Sequence, residues 1–412
     1  MIHPKRTACR VCGGTDLRMF LALGPTPLAN SFLSCESGFD NEPSYPLDVY
    51  FCDGCSLVQL LDVIDPEVLF RDYIYVTGTS DTIAKHNVGY AQAVVDMLDL
   101  GPNDTVVEVA SNDGSLLERF RDHGVRTLGV EPATNIAEMA RAKGIETVNE
   151  FFNGETALSI RDSHGPAKAV IGNNVLAHVD ELKDFFHGFK RLLSEDGLAI
   201  VEVPYLGELL DGLEYDTIYH EHLCYFSVSS LIRLCDEVGL SVARIDKVPV
   251  HGGSLRVYAG RRQLYGPHAD QALDLAEREK ELGMTSFQRY AGFAERVEGN
   301  RTAIRSLLQD LKSAGKTVAG YGAPAKGNTL LNYCGIDTSL IPYTVDKSDL
   351  KVGKFTPGMH LPVLEPSALL DRQPDYVMIL AWNFAEEIMK QQNEYRARGG
   401  KFIIPVPEPQ VI

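Results

Sequence analysis

Two stretches of this sequence gather side chains capable of chemistry. The first is a pair of C-x-x-C turns, Cys9-Arg10-Val11-Cys12 and Cys52-Asp53-Gly54-Cys55, with 39 residues between the inner cysteines. Each turn aims two thiolates at one point, and four sulfurs make a closed tetrahedral Zn2+ site with no position left for water. Such a metal is structural. Free thiols in two unrelated turns, or a redox pair, are the alternatives, but neither pair stands between a strand and a helix as a thioredoxin-like motif would. Between Val11 and Phe70 the only basic residue is Arg18, so a nucleic-acid zinc ribbon would lack its phosphate-binding surface. The second stretch is Tyr219-His220-Glu221-His222. It concentrates groups that move protons, and histidine titrates nearest neutral pH. An acidic surface loop is the competing reading. A metal site is disfavoured, because His220 and His222 lack the spacing that sets two imidazoles on one helix face. Tyr73 and Tyr75, upstream, either close a pocket or pack a hinge.

These groups need elements to position them. From about residue 85, β-branched runs alternate with helical patterns, which predicts a doubly wound parallel sheet. Strands are expected at 105–109, 127–130, 167–171 and 197–203, with helices at 115–122, 135–143 and 182–193. Ligands of such sheets bind beyond the carboxyl ends of the strands. There the first strand runs through Glu108 into Ala110-Ser111-Asn112-Asp113-Gly114, and the second ends in Glu131-Pro132. An acid at the second strand end can accept hydrogen bonds from the ribose hydroxyls of an adenosine cofactor. A dinucleotide would use the same carboxylate, yet its pyrophosphate needs more glycines than Gly114 supplies. The turn therefore suits S-adenosylmethionine, held by Glu108, Ala110, Asn112, Gly114, Glu131 and Pro132; simple helix-capping acids are the plainer alternative. Asn173 and Asn174 would hold its amino-acid part through their amides. His178 either faces this pocket or caps the next helix.

Residues 268–312 turn helical and rich in Glu, Arg and Lys, which reads as a solvated linker pair. Beyond them a strand at 317–320 enters Gly322-Ala323-Pro324-Ala325-Lys326-Gly327-Asn328 and a helix. Glycines and a lysine at a helix N-terminus suit a diphosphate, although this is no Walker loop. Strands at 341–346 and 376–380 continue the pattern, and Lys347, Lys351 and Lys354 add local positive charge. Arg256, in a strand-like run after His251, meets an anion or lies exposed. Cys35, Cys224, Cys235 and Cys334 read as small buried hydrophobes.

The whole chain has 412 residues, 44% hydrophobic and 23% charged, enough for two or three ordinary globular domains. Its formal charge of −17 argues against nucleic-acid or anionic-membrane partners. No apolar run approaches a bilayer span, and no hydrophobic stretch follows the basic opening residues. A cytoplasmic location is expected, with cysteines as thiols or metal ligands.

Together, the paired C-x-x-C, E-V-A-S-N-D-G, N-N-V-L-A-H-V, Y-H-E-H and G-Y-G-A-P-A-K-G-N resemble the nucleotide-sugar C-methyltransferases of deoxysugar and antibiotic biosynthesis, such as the C-3 methyltransferase of the tetronitrose pathway. The resemblance spans essentially the whole chain. It implies an α/β architecture: a zinc-binding module (1–75), a central Rossmann-like class I S-adenosylmethionine-dependent methyltransferase domain (76–267), a helical linker (268–312) and a C-terminal Rossmann-like domain (313–412) that binds the nucleotide sugar. It implies Cys9, Cys12, Cys52 and Cys55 as zinc ligands. Tyr219, Glu221 and His222 would form the active-site motif, with His178 facing them and Tyr73 in the pocket. The substrate would be a TDP-linked 4-keto-deoxysugar bound by Gly322, Ala323, Lys326, Gly327, Asn328, Lys351, Lys354 and Arg256, on a monomer. In the expected reaction His222 removes the C-3 proton, Tyr219 or His178 hydrogen-bonds the C-4 oxyanion, and Glu221 sets the histidine tautomer. The rival readings are an NAD-dependent nucleotide-sugar oxidoreductase or epimerase and a non-catalytic zinc-bearing binding protein.

Overall fold

The computed structural model describes residues 5–71, 78, 81–250 and 252–412. Tyr73, Tyr75 and His251 fall outside these. Near the N-terminus three short strands, β1 (Leu17–Ala22), β2 (Asp48–Cys52) and β3 (Val58–Leu60), pair antiparallel. β2 buries Val49 and Phe51 and delivers Cys52 directly into the second C-x-x-C turn.

The middle sheet follows from its sequence. β4 (Thr105–Val109) is buried at every position, as a parallel strand covered on both faces must be. Around it lie β5 (Arg126–Val130), β6 (Thr147–Val148), β7 (Ala167–Asn173) and β8 (Leu193–Pro204), all parallel. After β9 (Cys224–Tyr225), the strands β10 (Leu240–Val248) and β11 (Ser254–Arg261) complete the order β10-β11-β8-β7-β4-β5-β6, with β11 antiparallel to both neighbours. This is the sheet of class I methyltransferases. The strand order reverses between β4 and β7, and the crevice there opens at their carboxyl ends. β9 does not join this sheet; it pairs with β3 and so extends the N-terminal one.

The third unit is a second doubly wound sheet of β12 (Val318–Tyr321), β13 (Thr344–Val345), β14 (Val363–Leu364), β15 (Tyr376–Ile379), β16 (Lys401–Ile404) and β17 (Gln410–Val411). Its order is β14-β13-β12-β15-β16-β17, parallel up to the last strand.

The helices between these two sheets, Asp270–Glu281 and Phe287–Ser313, are not a solvated linker pair. Tyr290 is buried, with its ring 4.6 Å from Phe51 and 5.2 Å from Phe20 of the N-terminal sheet. Buried Glu279 accepts hydrogen bonds from the free N–H groups of Val228 and Ser229, capping the helix Val228–Val238. Their charged residues hide one apolar stripe, and that stripe packs. One continuous apolar core consequently runs from Val11 through Phe186 to Ile403. Cys35 is exposed, unlike buried Cys224, Cys235 and Cys334. No described helix is long and apolar enough to cross a membrane.

Candidate active site

The four cysteines converge. Their sulfurs all lie within 4.8 Å of one another, with Cys9 to Cys55 and Cys12 to Cys52 at 3.5 Å. A disulfide needs about 2.05 Å, whereas tetrahedral Zn–S bonds of about 2.3 Å place sulfurs about 3.8 Å apart. The cage fits zinc, and it is the one such cluster among the described residues. The histidines of Y-H-E-H cannot form another. Buried His220 points at the carbonyls of Tyr45 and Pro46, at 3.2 and 3.1 Å, whereas His222 points at Tyr219.

At the carboxyl edge of the middle sheet, the turn after β4 holds Ala110 at φ 54°, Asn112 at 50° and Gly114 at 75°, and Asn174 after β7 sits at 54°. Left-handed backbone at three non-glycine residues is strain, and strain of this kind concentrates at ligand sites. Glu131 organises the turn: its Oε2 accepts from the Asn112 N–H and its Oε1 from the Ala133 N–H, each at 2.9 Å. Each oxygen keeps a second lone-pair direction for a ribose hydroxyl. Buried acceptors with no hydrogen-bond partner among the described residues collect nearby, at Glu108 Oε2, Asp113 Oδ1 and Asn174 Oδ1. Burial, reinforced by Asp113 and Glu131, pushes the Glu108 carboxyl well above its usual range. A rim of acceptors suits a ligand carrying positive charge and hydroxyls, so these residues fit S-adenosylmethionine. Asn173 Oδ1 accepts from the Tyr90 hydroxyl at 3.2 Å. Replacing Glu131 with alanine should weaken S-adenosylmethionine binding by about 10- to 100-fold, the worth of one or two hydrogen bonds to a charged group. Calorimetry at matched thermal stability checks this, and unchanged affinity refutes the assignment.

The Y-H-E-H loop comes to the same edge. His222 Nδ1 lies 2.8 Å from the Thr217 carbonyl, which can only accept, so the proton sits on Nδ1 and Nε2 carries the lone pair. The Tyr219 hydroxyl lies 2.9 Å from that Nε2. The Thr217 backbone, and not Glu221, thus occupies the nitrogen that fixes the tautomer. His178, with its ring centroid 5.0 Å from that of His222, has Nδ1 2.7 Å from the Glu221 carbonyl. Its Nδ1 thus carries a proton, and the Asn174 backbone carbonyl also lies near the ring. The side chain of buried Glu221 meets Asn30, whose Nδ2 donates to Oε1 at 2.6 Å.

Burial lowers the His178 pKa to about 4, against the opposing pull of the Glu221 carbonyl. From about pH 6.5 down to about 4, the unfolded chain gains a proton that folded His178 refuses. Stability present above that window should fall as pH falls through it, by at most about 3 kcal/mol because the ring is only half-buried. Urea unfolding of wild type and His178→Gln should show the steeper pH slope in wild type; equal slopes refute it.

The third-unit residues are placed differently from a bare phosphate cradle. The Ala323 N–H donates to Asp346 Oδ2 at 2.7 Å, and Lys351 Nζ donates to the Ala323 carbonyl at 2.9 Å. Lys326 lies 4.3 Å over the Trp382 ring, while the Trp382 indole N–H donates to buried Asp216 Oδ2 at 2.6 Å. Burial lowers the Lys326 pKa, opposed by Asp216 and Glu214. Gly327 faces Leu380, where a Cβ would come within 2.8 Å, and buried Asn328 donates to the Ala29 carbonyl at 2.7 Å. Gly322 holds φ 91°, and half-buried Lys354 lies on the adjoining loop. Arg256 sits apart on β11. It is buried against Glu202 at 2.9 Å and over the Tyr90 ring at 3.7 Å, so it is neither exposed nor part of the third unit. Asn30, Thr217, Asp216 and Trp382 escaped the sequence reading because each acts through a partner distant in sequence or through its backbone.

C-methyltransferase NovU of Streptomyces niveus is 40% identical over 404 residues, covering 98% of this chain and 96% of that protein. The chain belongs to the C-methyltransferase family. Three family models also match: a zinc binding domain over 9–70, a methyltransferase domain over 84–245 and a C-methyltransferase C-terminal domain over 249–407. Among solved structures, the magnesium protoporphyrin IX methyltransferase ChlM of Synechocystis PCC 6803 is 15% identical, with 46% of this chain and 86% of that one covered at a TM-score of 0.33. The PH0226 protein of Pyrococcus horikoshii OT3 is 14% identical, with 48% and 96% covered at 0.36. This methyltransferase is S-adenosylmethionine-dependent and transfers the methyl group to carbon. The oxidoreductase and scaffold readings fall with that assignment.

Proposed function

We propose that the enzyme methylates C-3 of a TDP-linked 4-keto-deoxysugar through an enolate. The observation that carries this reading is the His222 Nε2 lone pair, held by Thr217 and paired with the Tyr219 hydroxyl. Methylating carbon requires a nucleophilic carbon, and a sugar C–H becomes acidic only beside a carbonyl. S-Adenosylmethionine supplies an electrophilic methyl on a sulfonium. His222 takes the C-3 proton, and the Tyr219 hydroxyl, released from Nε2, donates to the oxyanion growing at C-4. His178, kept neutral by burial, faces the same ring and orients a sugar hydroxyl or amine. Glu221, fixed by Asn30, borders that pocket.

The nucleotide is assigned to the third unit, with the diphosphate at the start of the helix Ala325–Cys334 near Gly322, Ala323 and Lys354. There Lys326 and Lys351 exchange their carboxylate neighbours for phosphate. Binding energy at this remote part holds the reacting carbon in line with the methyl group. Mass spectrometry of a TDP-4-keto-deoxysugar panel with enzyme and S-adenosylmethionine tests the proposal. One member should gain a methyl group on C-3; gain on oxygen or nitrogen alone would overturn it.

A further inference from the structure

We infer that Asn30 is a positioning residue, one that acts on the reaction by fixing the Glu221 carboxylate. The inference rests on the reading of Glu221 as part of the substrate pocket. Asn30 belongs to the long segment between β1 and β2, which leaves the zinc module and runs along both other units. Its neighbour Ala29 is buried and accepts a 2.7 Å hydrogen bond from Asn328 of the helix Ala325–Cys334. Farther along, Leu33 forms a β-bridge with Phe355. Buried Glu42 Oε2 accepts from the Gly358 N–H at 3.0 Å and meets His360 Nε2 at 2.8 Å, and the Phe39 ring stacks on His360 at 3.8 Å. Tyr45 and Pro46 then hold His220. The segment is pinned on both sides of Asn30 by contacts that do not involve Glu221.

That arrangement gives Asn30 a fixed origin from which to aim a carboxylate. A buried carboxylate has several rotamers open to it, and the 2.6 Å amide contact from Asn30 favours this one. Ala29 and Asn30 are also adjacent, so the helix assigned to the nucleotide and the Y-H-E-H loop are referenced to the same two residues. The zinc module thereby reaches the chemistry without touching substrate through its metal.

The test uses the full-length zinc-loaded enzyme and three variants, Asn30→Leu, Asn30→Asp and Glu221→Gln, each checked for metal content and melting temperature. Asn30→Leu should lower kcat by about 10-fold or more, the worth of one charge-assisted hydrogen bond, with S-adenosylmethionine affinity unchanged. Asn30→Asp sets two carboxylates against each other, and such a pair must share one proton. Among the described residues, His178, His220 and His222 lie close to Glu221 in the fold or the chain, and all are retained in this variant. Its kcat should approach that of wild type at low pH and fall progressively below it at higher pH. A wild-type pH profile in Asn30→Asp beside an impaired Glu221→Gln would sink the role of Asn30 alone. Full activity in Glu221→Gln would instead sink the reading of the pocket on which it rests.

Discussion

His222→Ala should lose methyl transfer by about 10²- to 10⁴-fold, the usual share of a positioned general base, while S-adenosylmethionine binds as before. The tautomer makes this expectation specific. With its Nδ1 proton committed to Thr217, His222 offers one lone pair, and no other nitrogen in the loop replaces it: His220 is turned to the carbonyls of Tyr45 and Pro46. Tyr219→Phe leaves that lone pair intact, so it should lose less and should still exchange the substrate C-3 hydrogen in deuterium oxide. His222→Ala should not exchange. If the two variants behave in the opposite way, Tyr219 takes the proton and the imidazole merely receives it afterwards. Equal and full activity in both would remove the loop from the chemistry.

The second large effect concerns the metal. Cys52→Ser, or stripping zinc with a strong chelator, should cost more than about 4 kcal/mol of stability, as losses of structural metal sites do, and should abolish turnover. The cost exceeds that of a detached module because β3 pairs with β9, which begins two residues after His222. Tyr290 in turn packs on Phe20 and Phe51 of the same sheet. Elemental analysis of the purified enzyme should find one zinc per chain, absent in Cys52→Ser. A variant that is fully folded and active without zinc would show that the cage serves no structural purpose.

The strands of the middle sheet were legible because five consecutive buried residues such as Thr105–Val109 have no other home. The cysteine cage was legible because its spacing is short and repeated. Connections made by backbone carbonyls were not legible: nothing in the identity of Thr217 marks its oxygen as the partner of His222. Arg256 was misjudged for a related reason, since a guanidinium on a strand gives no sign of whether Glu202 lies beside it. The helices at 270–313 misled through composition. Their charged residues outnumber the apolar stripe of Tyr290, Phe293, Val297, Ile304 and Leu308 that actually packs.

Trp382 is the only tryptophan in the chain. Its indole is bonded to Asp216 and overlain by Lys326, so it stands on the seam between the two doubly wound sheets. Intrinsic fluorescence therefore reports from that one place without a label. An emission change on adding nucleotide, with none on adding the methyl donor, would report occupancy of the nucleotide site in real time.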